Sequence, residues 1–163
     1  MTTQPERSDP LSLWTGPEGP GRNAGAFAFP AQSAAPTLDL DTVRRTIDDL
    51  LADARARLER VSAADLDAEL SGGALLIDTR PVEQRIADGE IPGAIVIDRN
   101  VLEWRLDPAS EHRIEGASYG RRVILFCDEG YSSSLAAAIL RDLGLDATDL
   151  IGGYRAWIAL HRA

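Results

Sequence analysis

Val123-Ile124-Leu125-Phe126-Cys127-Asp128-Glu129-Gly130-Tyr131-Ser132-Ser133-Ser134 is the stretch from which the fold is read. Four consecutive apolar residues describe a strand covered on both faces, the polar and small residues after them a tight loop, and the apolar-periodic segment beyond, 133–143 with Gly144 closing it, a helix. The chain's one cysteine therefore lies between the C-terminal end of a strand and the N-terminus of a helix. Unpaired N–H groups and the positive end of the helix dipole favour a negative sulfur there. Only the thiolate is a good nucleophile, and such surroundings lower a cysteine pKa from about 8.5 to roughly 3.5–7.5. A lone cysteine ending a strand is more often a packing residue, because free cysteine behaves as a small hydrophobe. Two features point instead to chemistry: Gly130, which is free to adopt the positive φ that a loop curling round the sulfur requires, and the hydroxyls of Ser132, Ser133 and Ser134.

Working outward, 74–77 and 95–97 read as further buried strands, 148–151 as a last strand, and 82–87, 100–106 and 154–160 as helical segments. Apolar strands alternating with helices predict an α/β fold, a parallel sheet flanked by helices on both faces. Sites in such sheets lie beyond the carboxyl ends of the strands, where Cys127 falls. Ser62 is placed to cap a short helix carrying Leu66 and Leu70, which Gly72-Gly73 ends. Before it, Leu40, Val43, Ile47, Leu50, Leu51, Ala54 and Leu58 are spaced by three and four, predicting an extra N-terminal amphipathic helix over 39–60. Asp39 and Asp41 sit at its start and Arg55, Arg57 and Arg60 near its end, as the dipole favours. Residues 1–37 are rich in Pro, Gly, Ser and Ala, the composition of a disordered tail in which Trp14, Phe27 and Phe29 are scattered aromatics. The expected division is a flexible tail over 1–37, the helix within 38–61, which packs on the domain or pairs with a second copy as a homodimer, and a domain over 62–163.

Composition removes several alternatives. All 17 basic residues are arginine, so a P-loop lysine, a Schiff base and a lysine general base are excluded. The net charge of −9, with arginines scattered among 26 carboxylates, disfavours nucleic acid. His112 and His161 lie far from the cysteine, and no metal-ligand spacing appears. No run approaches the roughly 18 apolar residues of a membrane span, and the N-terminus lacks the order of a secretory signal, so the expected location is the cytoplasm and no membrane partner is expected.

Four landmarks occur in order: Ile77-Asp78-Thr79-Arg80, Gly89-Glu90-Ile91-Pro92-Gly93-Ala94, the Cys127 loop, and Gly152-Gly153-Tyr154-Arg155-Ala156-Trp157. Together they resemble the rhodanese-like domain, from about Ser62 to Leu160. The resemblance implies a sulfurtransferase that carries sulfane sulfur as a persulfide on Cys127. Asp128, Glu129, Gly130, Tyr131, Ser132 and Ser133 would form the active-site loop, its N–H groups, including those of Gly130 and Tyr131, binding the anion. No organic cofactor or metal is implied. The partners would be a sulfane-sulfur donor and a thiol acceptor, either small molecules or proteins. Read on their own, Asp78 and Arg80 are two apart at a strand end and suited to join neighbouring loops, while Arg80 and Arg105 are candidate contacts for an anionic substrate.

The loop also departs from the family. Asp128 and Glu129 follow the cysteine where many members carry basic or neutral residues. Two carboxylates at roughly 6 Å would each disfavour the thiolate by up to about 3 kcal/mol at an effective dielectric near 20. Each N–H bonding a charged sulfur offsets roughly 1.5–3 kcal/mol of this, so three or more of them can still favour the thiolate, but a dianion such as thiosulfate should be repelled. Glu90 replaces the usual histidine of the turn, with the chemistry expected to be unaffected. The alternative to an enzyme is a non-catalytic or redox- and persulfide-sensing interaction module, motivated by the acidic loop and the long N-terminal extension. A phosphatase or arsenate reductase fares worse: those enzymes place an arginine six residues after the cysteine, and here position 133 is serine.

Overall fold

The computed structural model describes residues 44–162. The expected tail over 1–37, and Leu40 and Val43 of the expected first helix, lie outside the described residues. In chain order the elements are α1 (Ile47–Ala56), α2 (Leu66–Ser71), β1 (Leu75–Asp78), α3 (Val82–Asp88), β2 (Ile95–Val96), a 3-10 turn (Arg99–Val101), α4 (Leu102–Leu106), β3 (Arg122–Phe126), α5 (Ser132–Asp142), β4 (Asp146–Asp149) and α6 (Gly153–His161). The strands form one parallel sheet in the order β2-β1-β3-β4.

Alternation along the strands divides the core in two. Leu75 and Ile77 of β1, Val123 and Leu125 of β3 and Ala147 of β4 face one side, where Leu102 and Leu106 of α4 and Ala136, Ala137 and Leu140 of α5 cover them. Leu76, Ile124 and Phe126 face the other side with Leu150, against Leu66 of α2 and Tyr154 of α6. Both faces are covered, which is why the strands read as unbroken apolar runs. Thr79 extends the β1–β3 seam, donating from both its N–H and its hydroxyl to the Phe126 carbonyl.

Two boundaries differ from the sequence expectation. Among the described residues the first helix begins at Ile47, with 44–46 outside it: Thr46 and Asp49 form a reciprocal capping box, which fixes the start there. It ends at Ala56, so Arg57 and Arg60 lie beyond it. The last strand lies two residues earlier than 148–151, because Asp149 and Thr148 are buried in the sheet by paired side-chain bonds that no hydropathy pattern reveals. Ser62 caps the turn entering α2, accepting from the Asp65 N–H, while the helix itself starts at Leu66.

Candidate active site

Cys127 follows β3 directly and is half-buried at the carboxyl edge of the sheet. Its Sγ accepts from the Gly130 N–H at 3.2 Å and lies 3.4 Å from the Ser133 hydroxyl. Gly130 has φ +77°, and a Cβ there would stand 2.9 Å from the Leu150 carbonyl oxygen, so the loop closes round the sulfur only with glycine at this point. Burial pushes the Cys127 thiol up, but the Ser132 and Ser133 hydroxyls and the N–H groups of Ser133 and Gly130 pull it down further, leaving its pKa below the ordinary cysteine value.

Above the sulfur lies an open cleft of about 450 Å³ walled by Thr79, Arg80, Gln84, Asp128, Tyr131 and Ser132, with Pro81 and Glu129 at its edge. The structure thus brings Arg80 and the loop residues 128–132 together around Cys127. It does not bring Arg105, which donates to the His112 carbonyl from the far end of α4. Tyr131 lines the cleft, and the backbone N–H groups that act on the sulfur are those of Gly130 and Ser133.

The loop is mounted from behind by α6. The Tyr154 N–H donates to the Cys127 carbonyl at 2.9 Å and the Arg155 N–H to the Asp128 carbonyl at 3.0 Å. These are first-turn donors with no partner inside the helix, so the helix end and the loop satisfy one another. The approach requires Gly153: it has φ +57°, and a Cβ on it would lie 2.5 Å from the Cys127 carbonyl oxygen. Gly153 of the closing motif is therefore part of the Cys127 loop's support.

Charge around the loop is largely paired. The Asp128 carboxylate meets Arg155 Nε at 2.9 Å, and Arg155 also reaches Asp88 at the end of α3 at 2.7 Å. Glu129 is exposed. Asp78 and Arg80 are both buried and bonded through Nε and Nη2, and Nη2 continues to the Gly89 carbonyl, joining β1 to the following turn. The Arg80 guanidinium also lies 3.8 Å over the Tyr154 ring. Glu90, in the same turn, is an exposed partner of Arg85 at 3.8 Å.

Sequence reasoning missed Asp149. Fully buried at the end of β4 and level with Leu125 of β3, it accepts from Ser133 at 3.2 Å, from Ser134 at 2.7 Å and from Arg60 through two nitrogens. Its position at a parallel strand's carboxyl end was the available signal.

Residues 62–160 match the Rhodanese-like domain family. The chain belongs to this family. No curated protein matches the chain. Among solved structures, a Rhodopseudomonas palustris protein of unknown function described as a possible tyrosine phosphatase is 29% identical, with 72% of this chain and 92% of that one covered and a TM-score of 0.65. The human single-domain sulfurtransferase TSTD1 is 30% identical over 61% of this chain and 95% of that one, with a TM-score of 0.51. The rhodanese-like region takes in Cys127, its loop and the α6 mount, and among the described residues no helix is long and apolar enough to cross a membrane.

Proposed function

We propose that the protein is a sulfurtransferase working through a persulfide on Cys127. The observation that carries this reading is the sulfur itself: half-buried, open to a cleft, bonded by the Gly130 N–H and held below its ordinary pKa. In the first half-reaction the Cys127 thiolate attacks the outer sulfur of a sulfane donor. The donor's S–S bond breaks, its electron pair leaves with the inner fragment, and the outer sulfur stays on Cys127. In the second, an acceptor thiolate attacks that sulfur, a new S–S bond forms on the acceptor, and the Cys127 thiolate returns. The likeness to a human sulfurtransferase supports the same chemistry.

The donor we favour is a low-charge or protein-borne persulfide. Asp128 is paired with Arg155, but Glu129 is exposed and lines the cleft, and the Arg80 guanidinium is held by Asp78 and Gly89 through Nε and Nη2, leaving only its buried Nη1 without a partner among the described residues. The cleft therefore offers a dianion little free positive charge. The same feature speaks against phosphate chemistry, although one structural relative is described as a possible tyrosine phosphatase, since Ser133 holds the place an oxyanion-binding arginine would need.

Mass spectrometry after incubation with thiosulfate, an organic trisulfide or a persulfidated protein tests the proposal. One added sulfur on Cys127 is expected, strongest with the persulfidated protein and absent in Cys127→Ser. An unmodified Cys127 with every donor would overturn the reading.

A further inference from the structure

Two arginines that precede the family-matched region at 62–160 reach the back of the Cys127 loop. Arg55, in the last turn of α1, donates from Nη2 to the Gly130 carbonyl at 2.8 Å and from Nε to the Ser134 hydroxyl at 3.3 Å, and its guanidinium lies 5.2 Å from the Tyr131 ring centre. Arg60 holds the buried Asp149 carboxylate with Nε at 2.7 Å and Nη2 at 3.0 Å, and Nη2 also approaches the Gly130 carbonyl at 3.4 Å.

The proton count in this cluster has a consequence for the sulfur. Ser133 has one hydroxyl proton and two acceptors for it, Sγ at 3.4 Å and Asp149 Oδ2 at 3.2 Å. A buried carboxylate short of donors would keep that proton and leave Ser133 presenting a lone pair to the sulfur. Arg60 supplies Asp149 with two other donors, and the single Ser134 proton, shared between Asp149 and the Gly130 carbonyl, adds to them, which releases the Ser133 proton for a thiolate. Arg55 acts on the other donor: by fixing the Gly130 carbonyl it fixes the residue whose N–H bonds Sγ.

We infer that Arg55 and Arg60 are positioning residues for Cys127, so that the segment before the rhodanese-like domain completes its active site. The inference rests on the reading of Cys127 as the reactive nucleophile. The charged groups around the sulfur are Asp128 and Glu129 on the loop, Arg80 after β1, Asp149 at the end of β4, Arg155 of α6 through Asp128, and the two arginines themselves.

The test is the pH profile of Cys127 alkylation by iodoacetamide in the full chain, for wild type, Arg55→Met, Arg55→Lys and Arg57→Met. Arg57 leaves α1 beside Arg55 but binds the Ala138 carbonyl and Asp142 on α5, so it reports loosening of the segment without touching the loop. Arg55→Met should slow alkylation at neutral pH by about three- to tenfold and move the profile to higher pH, with Arg55→Lys recovering part of the loss. Arg57→Met should stay within about twofold of wild type. Arg60→Gln, which keeps an amide donor toward Asp149, should shift the profile in the same direction and serves if Arg55→Met does not fold. Profiles for Arg55→Met and Arg60→Gln that coincide with those of wild type or Arg57→Met would overturn the inference. Because alkylation reads the sulfur without any donor, it answers even if no donor loads Cys127, an outcome that would defeat the transferase proposal alone.

Discussion

The Tyr154 N–H donates to the carbonyl of Cys127 at 2.9 Å, so the residue bearing the thiol is fastened to the first turn of the last helix. The contact unites two landmarks far apart in sequence and gives the closing Gly-Gly-aromatic motif a task beyond packing. The Tyr154 side chain simultaneously lies under the Arg80 guanidinium, tying the buried ion pair to the same helix. One helix end thus supports both Cys127 and Arg80, which line the same cleft.

Gly153→Ala tests that support. The added Cβ would collide with the Cys127 and Asp128 carbonyl oxygens, at 2.5 and 2.6 Å, on a backbone of positive φ. We expect a loss of about 1–3 kcal/mol in urea denaturation, from strain and a displaced helix start. Reactivity of Cys127 should fall further than in a control destabilised equally by Leu106→Ala, which empties the core on the other face of the sheet. Equal losses would contradict the mounting role.

The lowered Cys127 pKa sets a pH dependence. Alkylation should reach half its maximum at a lower pH than it does for the same cysteine in the unfolded chain, and Ser133→Ala or Ser132→Ala should move the midpoint upward. For stability the sign follows from the folded value lying below the unfolded one. The contribution of the ionised sulfur is fully present above about pH 8.5 and is lost as pH falls through the folded pKa. Wild type should therefore gain on Cys127→Ser in urea midpoint as pH is raised through that window. A constant difference would show an unperturbed thiol.

Asp78 and Arg80 are a buried pair, and breaking one side should be costly. Asp78→Ala leaves the Arg80 guanidinium without its carboxylate in a closed site and should cost about 3–5 kcal/mol in denaturant unfolding. Asp78→Leu/Arg80→Leu removes both charges and should recover much of that stability. A double variant no more stable than the single would argue that the Gly89 and Tyr154 contacts of Arg80 dominate.

The Asp128–Arg155 pair controls the charge seen by an anionic donor. Asp128→Ala removes a carboxylate from the cleft while Arg155 stays paired with Asp88, and should raise the rate of persulfide formation from thiosulfate by about two- to fivefold, while Arg155→Ala leaves the Asp128 carboxylate unpaired and should lower it similarly. Both effects should shrink at high salt, because the pair is partly solvated. Unchanged thiosulfate kinetics in both variants would place the donor's path away from position 128.

Much of this architecture is legible in the sequence because its signals are local. The strands β1 and β3 are unbroken apolar runs, as a sheet covered twice demands, and the Cys127 loop announces itself by a glycine and serines at fixed offsets. Hydropathy misplaces β4 by two residues because Asp146-Ala147-Thr148-Asp149 has little of it; the strand's burial depends on Arg60 and on the Glu59 carbonyl, partners 89 residues away. The acidic loop reads as uncompensated because Arg155 reaches Asp128 only through the placement of α6. Arg105 is a candidate for the missing charge on residue type alone, whereas its helix directs it to the 107–112 turn. Long-range polar pairing has no period, and that is where sequence reading stops.

The anchors of the Cys127 loop are peptide groups: carbonyls at 127 and 128 against α6, and an amide at 130 against the sulfur. Side chains at 129 and 131 are exposed and carry none of these backbone bonds, whereas the equally exposed Ser132 hydroxyl acts on the sulfur. Selectivity and reactivity are thereby decoupled at these two positions, which form a natural palette for redirecting the protein toward other sulfur carriers while Cys127 stays in place.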